Sequence, residues 1–350
     1  MTKLYEQIDE MNPNVTSMSV TVTEGPYAGE QAYLEDGVIT WCSEENGLLK
    51  AHADTLRTLT ESGLVTLDGV RVYAELLGKT KKLVICGGGH VSLAVIRMAR
   101  MIGCDAIVIE DRPMYADLSR EAGATEVFCE PFETALKQMQ GDDDTYFVIV
   151  TRGHKHDEEC LREITQKHHA YIGMIGSRRR VAIVKNKLAA EGISKELLDS
   201  IHSPIGLDIG AETPEEIAVA IIAEIIEVKN KVKRNFGYPS EILRAILGPK
   251  METPDGNGRI LSTIVSRQGS APRGVGAKML IEADGTCTGT IGGGCVEAEV
   301  VTKAREMLAT GAEKPVLYRV DLTDEEAEDE GMVCGGTVEI LLDVVTGNES

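Results

Sequence analysis

Between Lys81 and Lys231, short apolar runs alternate with segments whose apolar residues return every three or four positions. The runs "KLVIC", "DAIVIE", "TEVFC", "YFVIV" and "AYIGMI" read as buried strands, and the segments between them as helices. After "GGGH", Val91, Ala94, Val95, Met98 and Ile102 fall on one helical face, and Gly103 stops that helix. At Thr213, "TPEE" supplies an N-cap threonine, a proline at the first helical position and Glu216 to close a capping box. It opens the apolar helix "EEIAVAIIAEIIEVKNK". Strands and helices in this rhythm predict right-handed βαβ units and a parallel sheet covered on both faces.

Beyond a stretch punctuated by Pro and Gly, the rhythm changes. "ILSTIV", "AKMLIEADG", "TCTGTI", a helix from about Cys295 to Leu308, "VLYRV" and "TVEILLDVV" predict a small α+β domain. The start of the chain looks like a worn copy of it. "SVTVTEGPYAGEQAYLEDGVIT" lies over "LSTIVSRQGSAPRGVGAKMLIEADGTCT", and "LDGVRVYAELL" over "CGGTVEILLDV". The strands and the turn glycine survive in the first copy; the Gly-Ser-Ala-Pro-Arg and triple-glycine segments do not. The expected fold is therefore α/β. A Rossmann-like parallel-sheet domain (79–235) is flanked by a degenerate small copy (1–78) and, after a linker (236–258), by an intact small α+β domain (259–350).

With 350 residues and 43% hydrophobic content, more than one core is expected. A net charge of -20 speaks against nucleic acid, since phosphate backbones require clustered Lys and Arg. No apolar run approaches the roughly 18 residues of a membrane span, and no signal or lipidation pattern appears, so a cytoplasmic location is expected. The eight cysteines form no CxxC pair, which disfavours a zinc ribbon or thioredoxin-type site. Most of them read as buried thiols.

Four segments carry candidate chemistry. In "CGGGHVS", Gly87 and Gly89 hold the first two positions of a G-x-G-x-x-G loop, with Ser92 at the third. The loop follows a strand and opens a helix, where unpartnered amides and the helix dipole favour phosphate. Glu110 or Asp111, at the end of the next strand, stands where a ribose hydroxyl is gripped in dinucleotide folds. "RGHKHDEE" places His154, His156 and Asp157 beyond the fourth strand, as acid–base groups, metal ligands or plain loop residues. "IGSRRR" offers Gly176, Ser177 as N-cap and three arginines from Arg178, an anion site shared with the glycine loop. Last, "RQGSAPRGVGAKM" and "GTIGGGCVE" bring Arg267, Arg273, Lys278 and Cys295 into a glycine-rich pair of loops. These suit an oxyanion and a thiolate at a helix start. Cys334 in "MVCGG" is a second candidate thiol.

"GSAPRGVGAKML", "GTIGGGCVE" and "VCGG" resemble the small domain of the xanthine dehydrogenase accessory proteins and the related carbon monoxide dehydrogenase maturation factors. "KLVICGGGHVSLAVIRMAR", "EDRPMYA", "VTRGHKHDEECL", "YIGMIGSRRR" and "SPIGLDIGAETPEEIAVAIIAEII" resemble that family's Rossmann-like domain. In the family the small domain commonly precedes the Rossmann-like one; here the intact copy follows it. The resemblance implies a maturation protein that binds molybdenum cofactor, as molybdopterin or its dinucleotide form, shields it during sulfuration and passes it to a molybdenum hydroxylase. It implies no catalytic residue of the chain's own. The cofactor-binding set it suggests is Gly87, Gly88, Gly89, His90, Glu110, Asp111, Arg112, His154, Gly176, Ser177 and Arg178 in one domain. In the other it is Ser270, Arg273, Gly292, Gly293, Gly294, Cys295 and Glu297, with Cys295 and Cys334 as metal ligands. Implied partners are the client hydroxylase and a cysteine desulfurase or other sulfur donor; a homodimer is left open. The competing readings are an NAD(P)-dependent oxidoreductase and a docking scaffold that binds no cofactor.

Overall fold

The computed structural model describes residues 3–152, 154–231, 238–248, 258–269, 273–321 and 336–345; for His154, Lys155 and Cys295 only the backbone is described. Two compact units emerge, one formed by residues 80–232 and the other by residues 1–79 together with 233–350.

The chain opens with helix α1 (Lys3–Glu10), strands β1 (Ser17–Val22), β2 (Gln31–Glu35) and β3 (Val38–Cys42), two single-turn helices α2 (Leu48–Ala51) and α3 (Ala53–Leu56), and strands β4 (Gly63–Leu67) and β5 (Val70–Leu77). The order in the sheet is β3-β2-β1-β5-β4, antiparallel throughout.

The second unit begins with β6 (Lys82–Cys86), α4 (His90–Met101), β7 (Asp105–Ile109), α5 (Pro113–Glu121), β8 (Glu126–Phe128) and α6 (Phe132–Gln138). It continues through β9 (Thr145–Ile149), α7 (His154–Ile164), β10 (Tyr171–Met174), α8 (Arg178–Ala190), α9 (Lys195–Ser200) and α10 (Pro214–Lys231). Its five strands are parallel in the order β10-β9-β6-β7-β8. The chain moves outward from β6 in one direction, then returns to its other side. Such a reversal opens a crevice at the carboxyl ends of β6 and β9, where ligands bind in sheets of this kind. One face of the sheet packs on α4 and α10 and the other on α6, α7 and α8, so strand residues are buried on both sides. The expected stops are present: Gly103 takes a φ of 72°, and Cys104 N closes the turn on Ala99 O at 2.9 Å. At the start of α10, Thr213 N donates to Glu216 Oε2 at 3.1 Å, and Glu216 N to Thr213 Oγ1 at 3.3 Å.

The first unit then resumes with α11 (Ser240–Leu247), β11 (Arg259–Gln268), β12 (Lys278–Ile281), β13 (Cys287–Gly289), α12 (Gly294–Ala309), β14 (Val316–Asp321) and β15 (Thr337–Val345). The sheet order, β13-β12-β11-β15-β14, matches that of the first sheet strand for strand. Helix α11 lies inside the stretch read from sequence as a linker. Its Ile242, Leu243 and Ile246 are buried against Leu4, Tyr5 and Ile8 of α1, each such side chain contributing about 2 kcal/mol of burial. Among the described residues, no helix is long and apolar enough to cross a membrane.

Asp343 on β15 is buried in this unit with Gln31 Nε2 donating to its Oδ2 at 2.8 Å, and the buried hydroxyls of Tyr5 and Tyr238 lie within its field. Burial outweighs that hydrogen bond and pushes its carboxyl up to about 7. A carboxyl raised on folding contributes stability below its unfolded pKa, about 4, that is lost as pH rises through about 7. The melting temperature of this unit should therefore fall by roughly several degrees between about pH 5 and about pH 8. Asp343→Asn should flatten that slope, as measured by circular dichroism across the pH range.

Candidate functional site

Four loops leave the carboxyl ends of β6, β7, β9 and β10, and charged side chains tie them together. In the first, Gly87 has a φ of 113°, and a Cβ there would meet Val150 O at 2.6 Å. Gly88 is packed from outside, with Tyr115 O 3.0 Å and Ser119 Oγ 3.1 Å from where its Cβ would be. Gly89 is different: it is the N-cap of α4, no side chain caps the helix, and a Cβ would point into open space. The first two glycines serve the turn. The third leaves the amide end of α4 bare toward the crevice, beside an exposed His90. Ser92, in the third fingerprint position, is fully buried with its hydroxyl unpartnered among the described residues.

Of the two carboxylates that the sequence offers for a ribose hydroxyl, Glu110 and Asp111, Glu110 is engaged within the protein itself. Its side chain is 1% exposed, and its oxygens accept from Gly88 N at 2.7 Å, Arg112 N at 3.1 Å, Arg112 Nε at 2.8 Å and Arg112 Nη2 at 3.0 Å. It anchors the glycine loop. Arg112, so held, lies over the Tyr115 ring at 3.7 Å. Asp111 takes a two-pronged bond from Arg152, at 2.6 and 2.7 Å. The Arg152 guanidinium holds its carboxyl down to about 2, against the opposing effect of burial.

In the third loop Asp157 is fully buried, accepting from Thr151 Oγ1 at 2.5 Å and from Arg180 of the fourth loop. The three arginines of "IGSRRR" therefore divide. Arg180 turns inward to Asp157, whereas Arg178 and Arg179 stay exposed in the first turn of α8, behind the N-cap Ser177 and Gly176. His156 pairs with Glu159 at 3.1 Å and packs on Phe132. The side chain of His154 lies outside the described residues. Among the described residues no cluster of His, Cys, Asp and Glu has the arrangement of a metal site.

A fifth loop escaped the reading of individual residues. His202 bridges Gly173 in parallel, extending the sheet, so residues 203–212 emerge at the same edge. Glu224 on α10 holds this loop from below, accepting from Tyr171 Oη at 2.5 Å and Gly206 N at 2.9 Å, with His202 Nδ1 3.1 Å away. Leu207 and Ile209 are exposed above it. The available signal was glycine spacing: Gly206 and Gly210 both take positive φ, 95° and 72°.

In the other unit, the triple glycine has a backbone cause. Gly292, Gly293 and Gly294 take φ of 134°, 76° and 65°, a run that side-chain-bearing residues resist. Part of this loop's amide set is already taken within the protein. Glu297, in the first turn of α12, accepts from Thr290 Oγ1 at 2.5 Å, Ile291 N at 3.0 Å and Gly292 N at 3.2 Å. Burial alone would raise its carboxyl, but these hydrogen bonds outweigh it and lower it. Cys295 follows in the first helical turn, its side chain outside the described residues, as are Ser270 and Cys334. Arg267 and Arg273 are exposed, but Lys278 is not part of this basic set. Its ammonium is 0% exposed and bonded to Glu75.

Replacing Glu110 with Gln should cost the Rossmann unit about 2 kcal/mol. The value lies below that of a fully buried ion pair because both arginines are partly exposed. Urea denaturation followed by circular dichroism would measure it.

Known families match both units. The XdhC Rossmann domain matches residues 83–225 and the XdhC and CoxI family matches residues 255–321. A Bacillus subtilis (strain 168) protein, named as a probable subunit of xanthine dehydrogenase, is 29% identical over 180 residues, 51% of this chain and 52% of that one. The Escherichia coli (strain K12) molybdenum cofactor insertion chaperone PaoD is 40% identical over 63 residues, 18% of this chain and 20% of that one. The chain spans about half, or less, of the curated relatives it matches. A crystal structure of a Bacillus halodurans xanthine dehydrogenase shares the fold, with a TM-score of 0.53 at 21% identity over 66% of each chain. Two family domains, each lying on the unit whose loops carry its motifs, place this chain in the XdhC and CoxI family.

Proposed function

We propose that the chain is a maturation factor for a molybdenum hydroxylase and that its Rossmann unit holds the phosphate end of molybdenum cofactor. The observation that carries this reading is the uncapped amide end of α4 at Gly89, open on the side of the crevice. Exposed Arg178 and Arg179 in the first turn of α8 add positive charge at the same sheet edge. These groups suit a phosphate or pyrophosphate. When bound, the cofactor supplies the molybdenum centre and its dithiolene; the chain's own groups hold the phosphate, orient it and limit access of water. In the other unit, Cys295 at the start of α12 is the candidate thiol for the sulfur side of maturation, alongside a client hydroxylase and a sulfur donor as partners. The names of the Bacillus subtilis and Escherichia coli relatives support this direction.

A nicotinamide dinucleotide is the weaker reading. It asks for a free carboxylate to grip the ribose, and Glu110 is fully engaged by the glycine loop and Arg112.

Gly89→Val tests the carrying observation. The backbone at Gly89, φ −73° and ψ −176°, accepts a β-branched residue, and the space beyond is open. The fold should survive while the bare amides are screened. Purified without oxygen from cells that make molybdenum cofactor, the variant should retain about tenfold less pterin and molybdenum per chain, equivalent to about 1.4 kcal/mol. Parent-level pterin in a folded variant would remove the Rossmann loop from the proposal. Cys295→Ser should retain pterin but activate the client poorly; full activation would dismiss the thiol.

A further inference from the structure

The two small sheets repeat one pairing scheme residue by residue. Thr21 faces Gln31 on β2 and Tyr73 on β5; Thr263 faces Lys278 on β12 and Leu341 on β15. Ser19 faces Glu75, and Leu261 faces Asp343. On the next strand, Thr66 faces Arg71 and Arg319 faces Glu339. Even the turn before the second strand recurs: Gly29 N donates to Val22 O at 3.0 Å, and Gly276 N to Ile264 O at 2.8 Å. Register therefore makes Gln31 the counterpart of Lys278, Glu75 of Asp343, Tyr73 of Leu341 and Arg71 of Glu339.

The contacts between the sheets follow the same correspondence. Gln31 donates to Asp343 at 2.8 Å, and Lys278 donates to Glu75, which is one contact made twice with the copies exchanged. Arg71 donates to its own counterpart, Glu339, at 2.8 Å, and Tyr73 packs with its own counterpart, Leu341. Residues that meet their counterparts lie on a twofold axis, and contacts repeated in exchange flank it; this is the pattern of an isologous dimer interface.

We infer that residues 1–79 serve as a built-in second protomer, so that the chain is a covalent pseudo-dimer of small modules in which only the C-terminal half keeps the glycine-rich loops. The N-terminal half is closed at the matching helix end. There, buried Glu30 accepts from Leu48 N at 2.8 Å and Leu49 N at 2.9 Å, covering the amides of α2. The axial pair fixes which halves meet. Two C-terminal modules would set Glu339 against Glu339, and two N-terminal modules Arg71 against Arg71, so like charge disfavours either pairing.

The test uses the full chain. Lys278→Met strands Glu75 and should lower the melting temperature by on the order of 10 °C. A quadruple exchange, Gln31→Lys and Asp343→Glu with Glu75→Asp and Lys278→Gln, moves each polar pair to the other side of the axis. It should melt within roughly 3 °C of the parent. A loss as large as that of Lys278→Met would overturn the equivalence of the two sides. The half-exposed axial pair gives a milder check: Arg71→Glu should lower the melting temperature by a few degrees, about 3 °C, and Arg71→Glu with Glu339→Arg should restore it. Light scattering on Arg71→Glu should show chains associating through loosened halves. No change in melting or mass for Arg71→Glu would sink the axial assignment.

Discussion

The candidate site depends on a carboxylate that never reaches it. Glu110 is almost wholly buried, yet it accepts a loop amide and two arms of Arg112, and Arg152 Nη1 stands 3.5 Å away. A buried charge is costly unless its hydrogen-bonding capacity is filled, so the surrounding donors cannot move without exposing that cost. Gly88 is thereby pinned, Arg112 is laid over Tyr115, and Arg152 is left to hold Asp111. Loops from three different strands take one arrangement because a single carboxylate binds them. Asp157 does the same for the fourth, gripping Thr151 and Arg180.

The same device recurs in the other unit. Glu297 gathers the amides of Ile291 and Gly292 as Glu110 gathers that of Gly88, and Glu30 plugs the start of α2. The consequences differ with what is left over. At α4 the carboxylate takes a loop amide and leaves the helix end at Gly89 bare. At α2 it takes the first two helix amides themselves, those of Leu48 and Leu49. Whether a glycine turn can serve a ligand is thus decided by where its carboxylate attaches, rather than by the number of glycines.

That distinction marks the limit of what the sequence shows. Local signals were legible because they are set by neighbours: the capping box at Thr213 and Glu216, the stop at Gly103 and the N-cap at Ser177. The parallel sheet followed from apolar runs at regular spacing, and the repeated module from two matching strand patterns. Helix α11 was hidden between Pro239 and Gly248, where loop punctuation outweighed the apolar spacing of Ile242, Leu243 and Ile246. Lys278 looked like part of a basic loop because its partner, Glu75, lies on a distant strand. Glu110 stood where a ribose carboxylate belongs, and only the fold reveals that its oxygens are engaged. Long-range polar pairing leaves no local period to read.

The repeat also explains how a copy can lose its loops and persist. In the N-terminal module, the loop residues that would bear on a ligand are absent, while the register, the turn at Gly29 and the polar contacts of Gln31, Glu75 and Arg71 remain. These are the groups that cover the face of the C-terminal sheet. Uncovered, that face would expose Leu261, Leu280 and Leu341 beside an unpaired Lys278 and Asp343, a combination that neither water nor an apolar neighbour accommodates well. A residue set tied to a buried face is constrained by packing from both sides, whereas a loop released from its ligand is constrained by nothing but its turn. Loss of the loops and retention of the sheet are therefore the expected fates of a module whose remaining task is to be a surface for its twin.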